Sequence, residues 1–252
     1  MLHIKTVFDR LRDSGLTVKP SKCQFGEEEL YCLGHVVGKG KLKPDNRKVQ
    51  AMVDFPLPLT KKGIRSFLGM TGYYRRFVKN YAKLAAPLTN LIRKDRPRQI
   101  QWTDDSVKAF NDLKDEMTRA PVLANPDFNE PFTIQTDASN VAIGAVLSQV
   151  IDDEEHPIAY ISRKLLPREQ NYSTVEKECL AIVWSVESFA YYISGVKFTI
   201  QTDHNPLKWL DRTKQKNQRL LRWALALQQF HYTIEYRRGQ DNANADGLSR
   251  VE

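Results

Sequence analysis

Two identical hexapeptides that each end in an aspartate are the residues whose pattern first points to chemistry. The sequence Phe-Thr-Ile-Gln-Thr-Asp occurs at 132–137 and again at 198–203. Each copy alternates apolar and polar side chains, which predicts a β-strand with Asp137 and Asp203 in the same phase of the pleat. Either aspartate alone could simply cap a turn. Two identical copies favour a shared role instead.

The segment between the hexapeptides decides whether the two aspartates can meet. A helical pattern covers residues 174–193, and a helix that returns the chain to a sheet makes a right-handed crossover between parallel strands. We therefore expect the two hexapeptide strands to be parallel neighbours, with both aspartates at their carboxyl ends. Open α/β sheets bind their ligands at that edge, where the strand order switches.

Two further carboxylates can join this pair. On a helix with about 100° per residue, Glu178 lies about 60° from the centre of the apolar stripe and would touch the sheet, whereas Glu176 is expected to face solvent. Asp246 follows a predicted strand at 231–236. Converging carboxylates repel one another unless a cation binds them, and oxygen ligands without His or Cys select Mg²⁺ or Mn²⁺ over Zn²⁺. Two such ions would support hydrolysis of a phosphodiester.

The remaining elements are predicted from periodicity and from helix-stop and helix-start signals. Short strands and turns are expected over 21–43, and two strands at 142–149 and 157–165 should be joined by a polar turn. Helices are expected at 45–55, at 61–70 after a Thr60 cap, over 71–94, and at 104–117 after a Thr103 cap. A polar, proline-containing linker is expected at 93–102.

Composition and charge narrow the class of protein. The chain has 252 residues, of which 41% are hydrophobic and 27% charged, so wholesale disorder is excluded. Residues 1–120 carry 24 basic and 13 acidic side chains (net +11), whereas residues 121–252 carry 14 and 17 (net −3). This asymmetry favours a polyanion-binding part beside a part that concentrates carboxylates. A charged surface that binds nothing is the alternative.

The expected compartment is reducing. Three cysteines cannot form a disulfide framework, and the first fifteen residues mix charges with apolar residues at helical spacing rather than resembling a signal peptide. We expect a cytoplasmic location (in a virus-like particle) or a nuclear one, and no secretion. No apolar run approaches the roughly 18 residues of a membrane span, so no membrane partner is expected.

Six segments in order resemble gypsy-type LTR retrotransposon reverse transcriptases and their ribonuclease H (RNase H) domain. TDAS, YSTVEKECLAIV, TDHNPLKWL and YRRGQDNANADGLSR, between residues 136 and 250, resemble the RNase H domain. The segment at 7–37 resembles the end of the polymerase palm with its primer grip, and the segment at 43–88 resembles the thumb. The resemblance implies an α/β chain with a mixed five-stranded RNase H-like sheet and flanking helices. A mainly helical thumb and a small β remnant of the palm would precede it, giving units at 1–44, 45–119 (thumb and linker) and 120–252.

The same resemblance implies roles for named residues. The RNase H metal ligands and catalytic carboxylates would be Asp137, Glu178, Asp203 and Asp246, holding two Mg²⁺ or Mn²⁺ ions. Tyr236 stands where some relatives have a loop histidine that helps product release, and His204 is a weaker candidate for that auxiliary role. The general acid is left unassigned.

Basic residues on the thumb and near the predicted carboxylate site are candidates for binding nucleic acid. They are Lys61, Lys62, Arg65, Arg75, Arg76, Lys208, Arg212, Lys214, Arg219 and Arg222. The expected partner is an RNA/DNA hybrid, with the missing fingers and palm of the same polyprotein and a second copy of this chain as further candidates.

The expected activity is cleavage of the RNA strand of an RNA/DNA hybrid by an endonuclease. The alternative is a degenerate or domesticated copy that binds hybrids without cutting them. Polymerase activity is not expected, because the aromatic-x-Asp-Asp turn of the family's polymerase is missing. The chain is accordingly expected to be a fragment of a polyprotein or a truncated gene copy.

Overall fold

The structure is a computed structural model that describes residues 2–97, 99–119, 121–202 and 218–236. Helix α1 spans Leu2–Asp13. Three short strands follow, β1 (Glu29–Cys32), β2 (His35–Gly38) and β3 (Lys41–Pro44), and they form an antiparallel sheet. The prediction of short strands and turns over 21–43 is therefore confirmed for the part that begins at Glu29.

A helical unit follows this first sheet. Its helices are α2 (Asn46–Val53), α3 (Lys61–Tyr73), α4 (Tyr81–Leu84), α5 (Ala86–Leu91) and α6 (Asp104–Thr118). Both predicted caps are confirmed, because Thr60 accepts a hydrogen bond from the Gly63 amide and Thr103 forms a capping box with Ser106. The buried side chains of Phe67, Phe110 and Leu113 lie at the centre of this unit.

The prediction of one helical stretch over 71–94 is wrong in detail. Helix α3 ends at Tyr73, a 3₁₀ turn occupies Arg75–Phe77, and Asn80 has a left-handed backbone with φ of +52°. The break has a tertiary cause, since Phe77 and Val78 are fully buried in the core of the helical unit. Local helical propensity does not report such long-range packing.

Strand β4 (Leu123–Ala124) returns the chain to the first sheet, where it pairs antiparallel with β3. Leu123 is fully buried in the core of the helical unit. The predicted start of the last unit at residue 120 thus precedes a strand that belongs to the first sheet.

The second sheet has the order β7-β6-β5-β8-β9. Its strands are β5 (Phe132–Ala138), β6 (Ala142–Ile151), β7 (Glu154–Lys164), β8 (Phe198–Thr202) and β9 (Tyr232–Tyr236). Strands β5, β6 and β7 are antiparallel, whereas β5, β8 and β9 are parallel. The predicted mixed five-stranded sheet is confirmed. The β6–β7 turn is tight, with Asp152 and Asp153 both at positive φ.

Helices flank this sheet. Helices α7 (Pro167–Gln170), α8 (Thr174–Ser188) and α9 (Ala190–Ile193) lie between β7 and β8, and α10 (Gln218–Leu227) precedes β9. The predicted helix at 174–193 is therefore confirmed, with an interruption at Phe189. Among the described residues, no helix combines the length and the apolar character needed to cross a membrane.

The two faces of the second sheet have different neighbours. Phe132 and Ile134 share a buried core with Ile182 and Val186 of α8. On the opposite face, Tyr160 of β7 packs against the core of the helical unit. The sheet is therefore covered by its own crossover helix on one side and approached by the helical unit on the other.

Candidate active site

The two hexapeptides form neighbouring parallel strands, as predicted. Phe132 lies opposite Phe198, and the pairing continues in register to Gln135 opposite Gln201. The crossover that makes this pairing includes α8. Asp203 itself lies outside the described residues and directly follows Thr202, the last residue of β8.

Asp137 lies at the carboxyl end of β5 with its side chain exposed. Its phase in the strand is that of Gln135, so it belongs to the sheet face opposite Phe132 and Ile134. One carboxylate oxygen, Oδ2, accepts a hydrogen bond of 2.8 Å from Nδ2 of Asn80. A carboxylate that accepts one hydrogen bond keeps most of its acceptor positions.

Glu178 lies in the second turn of α8 and is buried, with 4% of its surface exposed. The Ser173 side chain fixes the start of this helix by accepting a hydrogen bond from the Glu176 amide. The burial of Glu178 agrees with its predicted place beside the apolar stripe. A buried carboxylate is costly unless cations or donors compensate it, which is the usual situation of a metal ligand.

The prediction that Glu176 faces solvent is wrong. Its carboxylate accepts hydrogen bonds from Ser173, completing a capping box, and forms an ion pair with Arg219 of α10 at 2.8 Å. Arg219 also stacks over the Tyr172 ring at 4.0 Å. Glu176 therefore anchors the start of α8 to α10, a structural role that leaves Glu178 as the candidate ligand on this helix.

Cys179 follows Glu178 and is buried. Burial, followed by the charges of Glu178 and Glu176, raises the pKa of this thiol to about 12. The thiol is therefore protonated at neutral pH and packs as a small apolar group.

The other predicted site residues are only partly described. Asp246 and His204 lie outside the described residues, as does Asp203. Tyr236 ends β9, is 57% exposed, and lies in register beside Thr202. Within the described ranges no three His, Cys, Asp or Glu side chains form a group that could hold a metal ion. The grouping of all four carboxylates thus remains a prediction.

The predicted nucleic-acid contacts differ in their surroundings. Exposed side chains are those of Lys62, Arg65, Arg75 and Arg222, whereas Arg76 is half-buried. Lys61 donates hydrogen bonds to the backbone carbonyls of Arg93 and Arg96, and Arg219 forms the ion pair with Glu176. Lys208, Arg212 and Lys214 lie outside the described residues. The exposed members are therefore the better placed to bind phosphate.

Sequence reasoning missed Asn80, which contacts Asp137 from 57 positions earlier in the chain. No local pattern reports such a long-range contact. The available signal was weak: an asparagine interrupting a helical segment is a common residue for a left-handed backbone.

Comparison with known proteins defines the class. Residues 127–230 match the model of the RNase H-like domain found in reverse transcriptase. The foamy viral protease-reverse transcriptase in complex with RNA/DNA hybrid has a similar fold, with a TM-score of 0.76 and 20% identity over 94% of this chain and 33% of that one. The same viral protein, in a dRH form in complex with ds DNA, gives a TM-score of 0.77 at 20% identity, over 93% and 42% of the two chains.

Comparison with curated proteins extends the similarity to the whole chain. It is 44% identical to the retrovirus-related Pol polyprotein from transposon 297 of Drosophila melanogaster, over 99% of this chain and 23% of that protein. The Pol polyprotein from transposon opus of the same species is 39% identical (99% and 26%), and the Tf2-3 polyprotein of Schizosaccharomyces pombe is 35% identical (99% and 19%). Over nearly its whole length the chain is thus similar to retrotransposon Pol polyproteins, which confirms the resemblance, and it spans about a quarter or less of these relatives.

Proposed function

We propose that this chain hydrolyses the RNA strand of RNA/DNA hybrids, as the RNase H part of a retrotransposon reverse transcriptase. The observation that carries the proposal is the in-register parallel pairing of β5 with β8. This pairing brings together two strands whose sequences each run into an aspartate, one of which is the exposed Asp137. Besides Asp137, the buried Glu178 on the crossover helix is the other candidate carboxylate among the described residues.

The donor set fits magnesium or manganese. The candidate ligands are carboxylates, which are hard oxygen donors, and the described pair combines an exposed group with a buried one. Asp137 and Glu178 would hold two ions together with Asp203 and Asp246. When bound, such ions lower the pKa of a coordinated water and stabilise the leaving oxygen of a phosphodiester.

The remaining residues would bind and orient the substrate. Exposed cations on α3 and in the following 3₁₀ turn (Lys62, Arg65 and Arg75) would contact backbone phosphates, and Arg222 would do so from α10. A hybrid would be distinguished from other duplexes through 2′-hydroxyl contacts on one strand only. That a similar fold occurs in a protein in complex with RNA/DNA hybrid supports this choice of partner.

The test is cleavage of an end-labelled RNA/DNA hybrid in Mg²⁺ by the full chain and by Asp137→Asn. We expect cutting of the hybrid RNA strand only, none in EDTA, and none of duplex RNA. Asp137→Asn should slow cutting at least about 100-fold, since metal ions supply several kcal/mol of stabilisation. The fold should persist, because Asp137 is exposed and an Asn oxygen can accept the same hydrogen bond.

Asp153→Asn is the matched control. Asp153 is exposed, lies in the turn at the other end of the strands, and has a φ of +62° that Asn tolerates. The Asp153→Asn variant should cut the hybrid at the wild-type rate. If the folded wild-type chain bound the hybrid without cutting it, the result would instead favour the alternative function, in which the protein only binds hybrids.

A further inference from the structure

Asn80 brings the helical unit into contact with the predicted nuclease site. Its backbone lies in the left-handed region, with φ of +52° and ψ of 29°, immediately before α4. The neighbouring residues Val78 and Tyr81 are buried in the core of the helical unit. The side-chain amide therefore projects from a well-anchored segment, and its Nδ2 donates to Oδ2 of Asp137 at 2.8 Å.

Gly144 makes this approach possible. It pairs with Asp137 across β5 and β6, and a Cβ built on it would lie 2.5 Å from Oδ1 of Asn80. A side chain at this position would displace the Asn80 amide from its present position, because that distance is shorter than any ordinary contact between carbon and oxygen. The glycine thus leaves a gap that the Asn80 side chain fills.

Neighbouring hydrogen bonds hold the same segment against the sheet. Ser162 of β7, which lies opposite Gly144, accepts a hydrogen bond from the Ala82 amide at 2.9 Å. Lys164 donates to Oδ1 of Asn90 at 2.6 Å. Two polar contacts besides that of Asn80 therefore join the helical unit to this part of the sheet.

The contact orients Asp137 without covering it. The aspartate side chain stays exposed, and a carboxylate offers about four acceptor positions, of which Asn80 takes one. Partners that orient a ligating carboxylate in this way affect metal affinity or activity by about 10–100-fold.

We propose that Asn80 is a positioning residue for the nuclease site, which holds the Asp137 carboxylate in the orientation that binds the divalent cation. The inference rests on the proposed function and deepens it, because a residue of the helical unit then contributes to the site of the RNase H-like domain. Asn80 acts through Asp137 and has no assigned contact with substrate.

Two substitutions break the contact in independent ways. Asn80→Gly removes the amide and keeps the left-handed backbone at no steric cost, which Asn80→Ala would not. Gly144→Ala keeps Asn80 but places a methyl group 2.5 Å from its Oδ1, so the Asn80 side chain must shift from its present position beside Asp137. Ser162→Ala is the matched control, because it removes the hydrogen bond from Ala82 and leaves Asn80 and Asp137 in place.

The first measurement is calorimetric titration of the full chain with Mn²⁺, without nucleic acid, after thermal unfolding has shown each variant to be folded. Asn80→Gly and Gly144→Ala should each bind Mn²⁺ about 10-fold or more weakly. Ser162→Ala should stay within about twofold of wild type, since it perturbs only the contact between the units. Asp137→Asn gives the reference for loss of the ligand itself.

The second measurement is hybrid cleavage as a function of Mg²⁺. Both test variants should need about 10-fold more Mg²⁺ for half-maximal rate and recover most of the rate at saturation. A purely structural role would lower the plateau and the unfolding temperature instead.

Three results would overturn the proposal: Mn²⁺ affinity in Asn80→Gly equal to that in Ser162→Ala, faster cleavage by Asn80→Gly, or no Asp137-dependent Mn²⁺ binding by wild type. Failure of the proposed function looks different. In that case wild type binds Mn²⁺ through Asp137 and cuts no hybrid, while the Asn80→Gly loss of affinity still supports the positioning role.

Discussion

Glu176 and Glu178 lie two positions apart on α8 and have different surroundings. Glu176 completes the capping box of α8 and forms an ion pair with Arg219, whereas Glu178 is buried beside the sheet. Glu178 is predictable from the sequence as the inward-facing glutamate, because angular position on a helix follows from spacing alone. The partners of Glu176 are not, because Arg219 comes from a helix 43 positions later.

This difference predicts opposite effects of two substitutions. Glu176→Ala should cost about 1–2 kcal/mol of unfolding free energy through loss of the cap and of the ion pair. It should leave hybrid cleavage near the wild-type rate at temperatures where the variant is folded. Glu178→Gln has nearly the same shape and should retain stability while slowing cleavage at least about 100-fold. Urea titrations and single-turnover cleavage of both variants measure the two effects.

The reciprocal outcome would contradict the assignment. If Glu176→Ala lost cleavage while fully folded and Glu178→Gln kept it, the metal ligand on α8 would be Glu176. Arg219→Ala serves as the control, since it breaks the ion pair with Glu176 and leaves both glutamates in place.

Single elements were predictable where the information is local. The Thr60 and Thr103 caps follow from short patterns, and the structure contains both. The parallel pairing of the two hexapeptides is long-range, but it was predictable from their identical sequences and the crossover helix between them. The break after α3 and the return of β4 to the first sheet depend on contacts between distant segments, such as that of Leu123 with the helical core. A sequence window does not contain those contacts.

The β1–β2 hairpin carries a titratable group against the helical unit. The His35 ring lies 5.7 Å from the Phe77 ring and also contacts Tyr73 and Tyr74. Its Nδ1 lies 3.0 Å from the Leu33 carbonyl oxygen, which can only accept, so this nitrogen carries the proton. Burial, and more weakly the charge of Arg76, lowers the pKa of His35, although the bond to Leu33 opposes this effect.

A lowered histidine pKa makes the hairpin contact weaker in acid. The unfolded chain, with a His pKa near 6.5, binds the proton more readily than the folded chain, so this contribution is complete above about pH 6.5 and is lost as pH falls through the folded pKa. We expect the urea midpoint of wild type to fall between pH 7.5 and 5.5 by more than that of His35→Gln. His3→Gln, which alters an exposed histidine on α1, should follow wild type. Equal pH dependence in wild type and His35→Gln would contradict the prediction.

At the scale of the whole molecule, the basic half and the carboxylate-bearing half are joined by direct contacts. The helical unit lies on the β6–β7 part of the second sheet, and Asn80 reaches Asp137 over Gly144. Charge asymmetry in the sequence suggested the two parts, but their relative position depends on side-chain contacts that composition does not encode. A ligand bound to the helical unit would therefore lie in a fixed relation to the proposed nuclease site.

Hybrid affinity should depend steeply on salt, and the exposed cations of the helical unit should carry much of that dependence. Each phosphate contact contributes about one unit to the slope of log affinity against log salt, so replacing Lys62, Arg65 and Arg75 together by Gln should reduce the slope by about three. The control triple removes the same charge from exposed sites outside the helical unit, at Lys22, Arg168 and Lys197. Fluorescence anisotropy with a labelled hybrid at 50–200 mM salt measures both slopes. If the two triples changed the slope equally, net charge alone would account for binding and the phosphate-contacting role of α3 would be wrong.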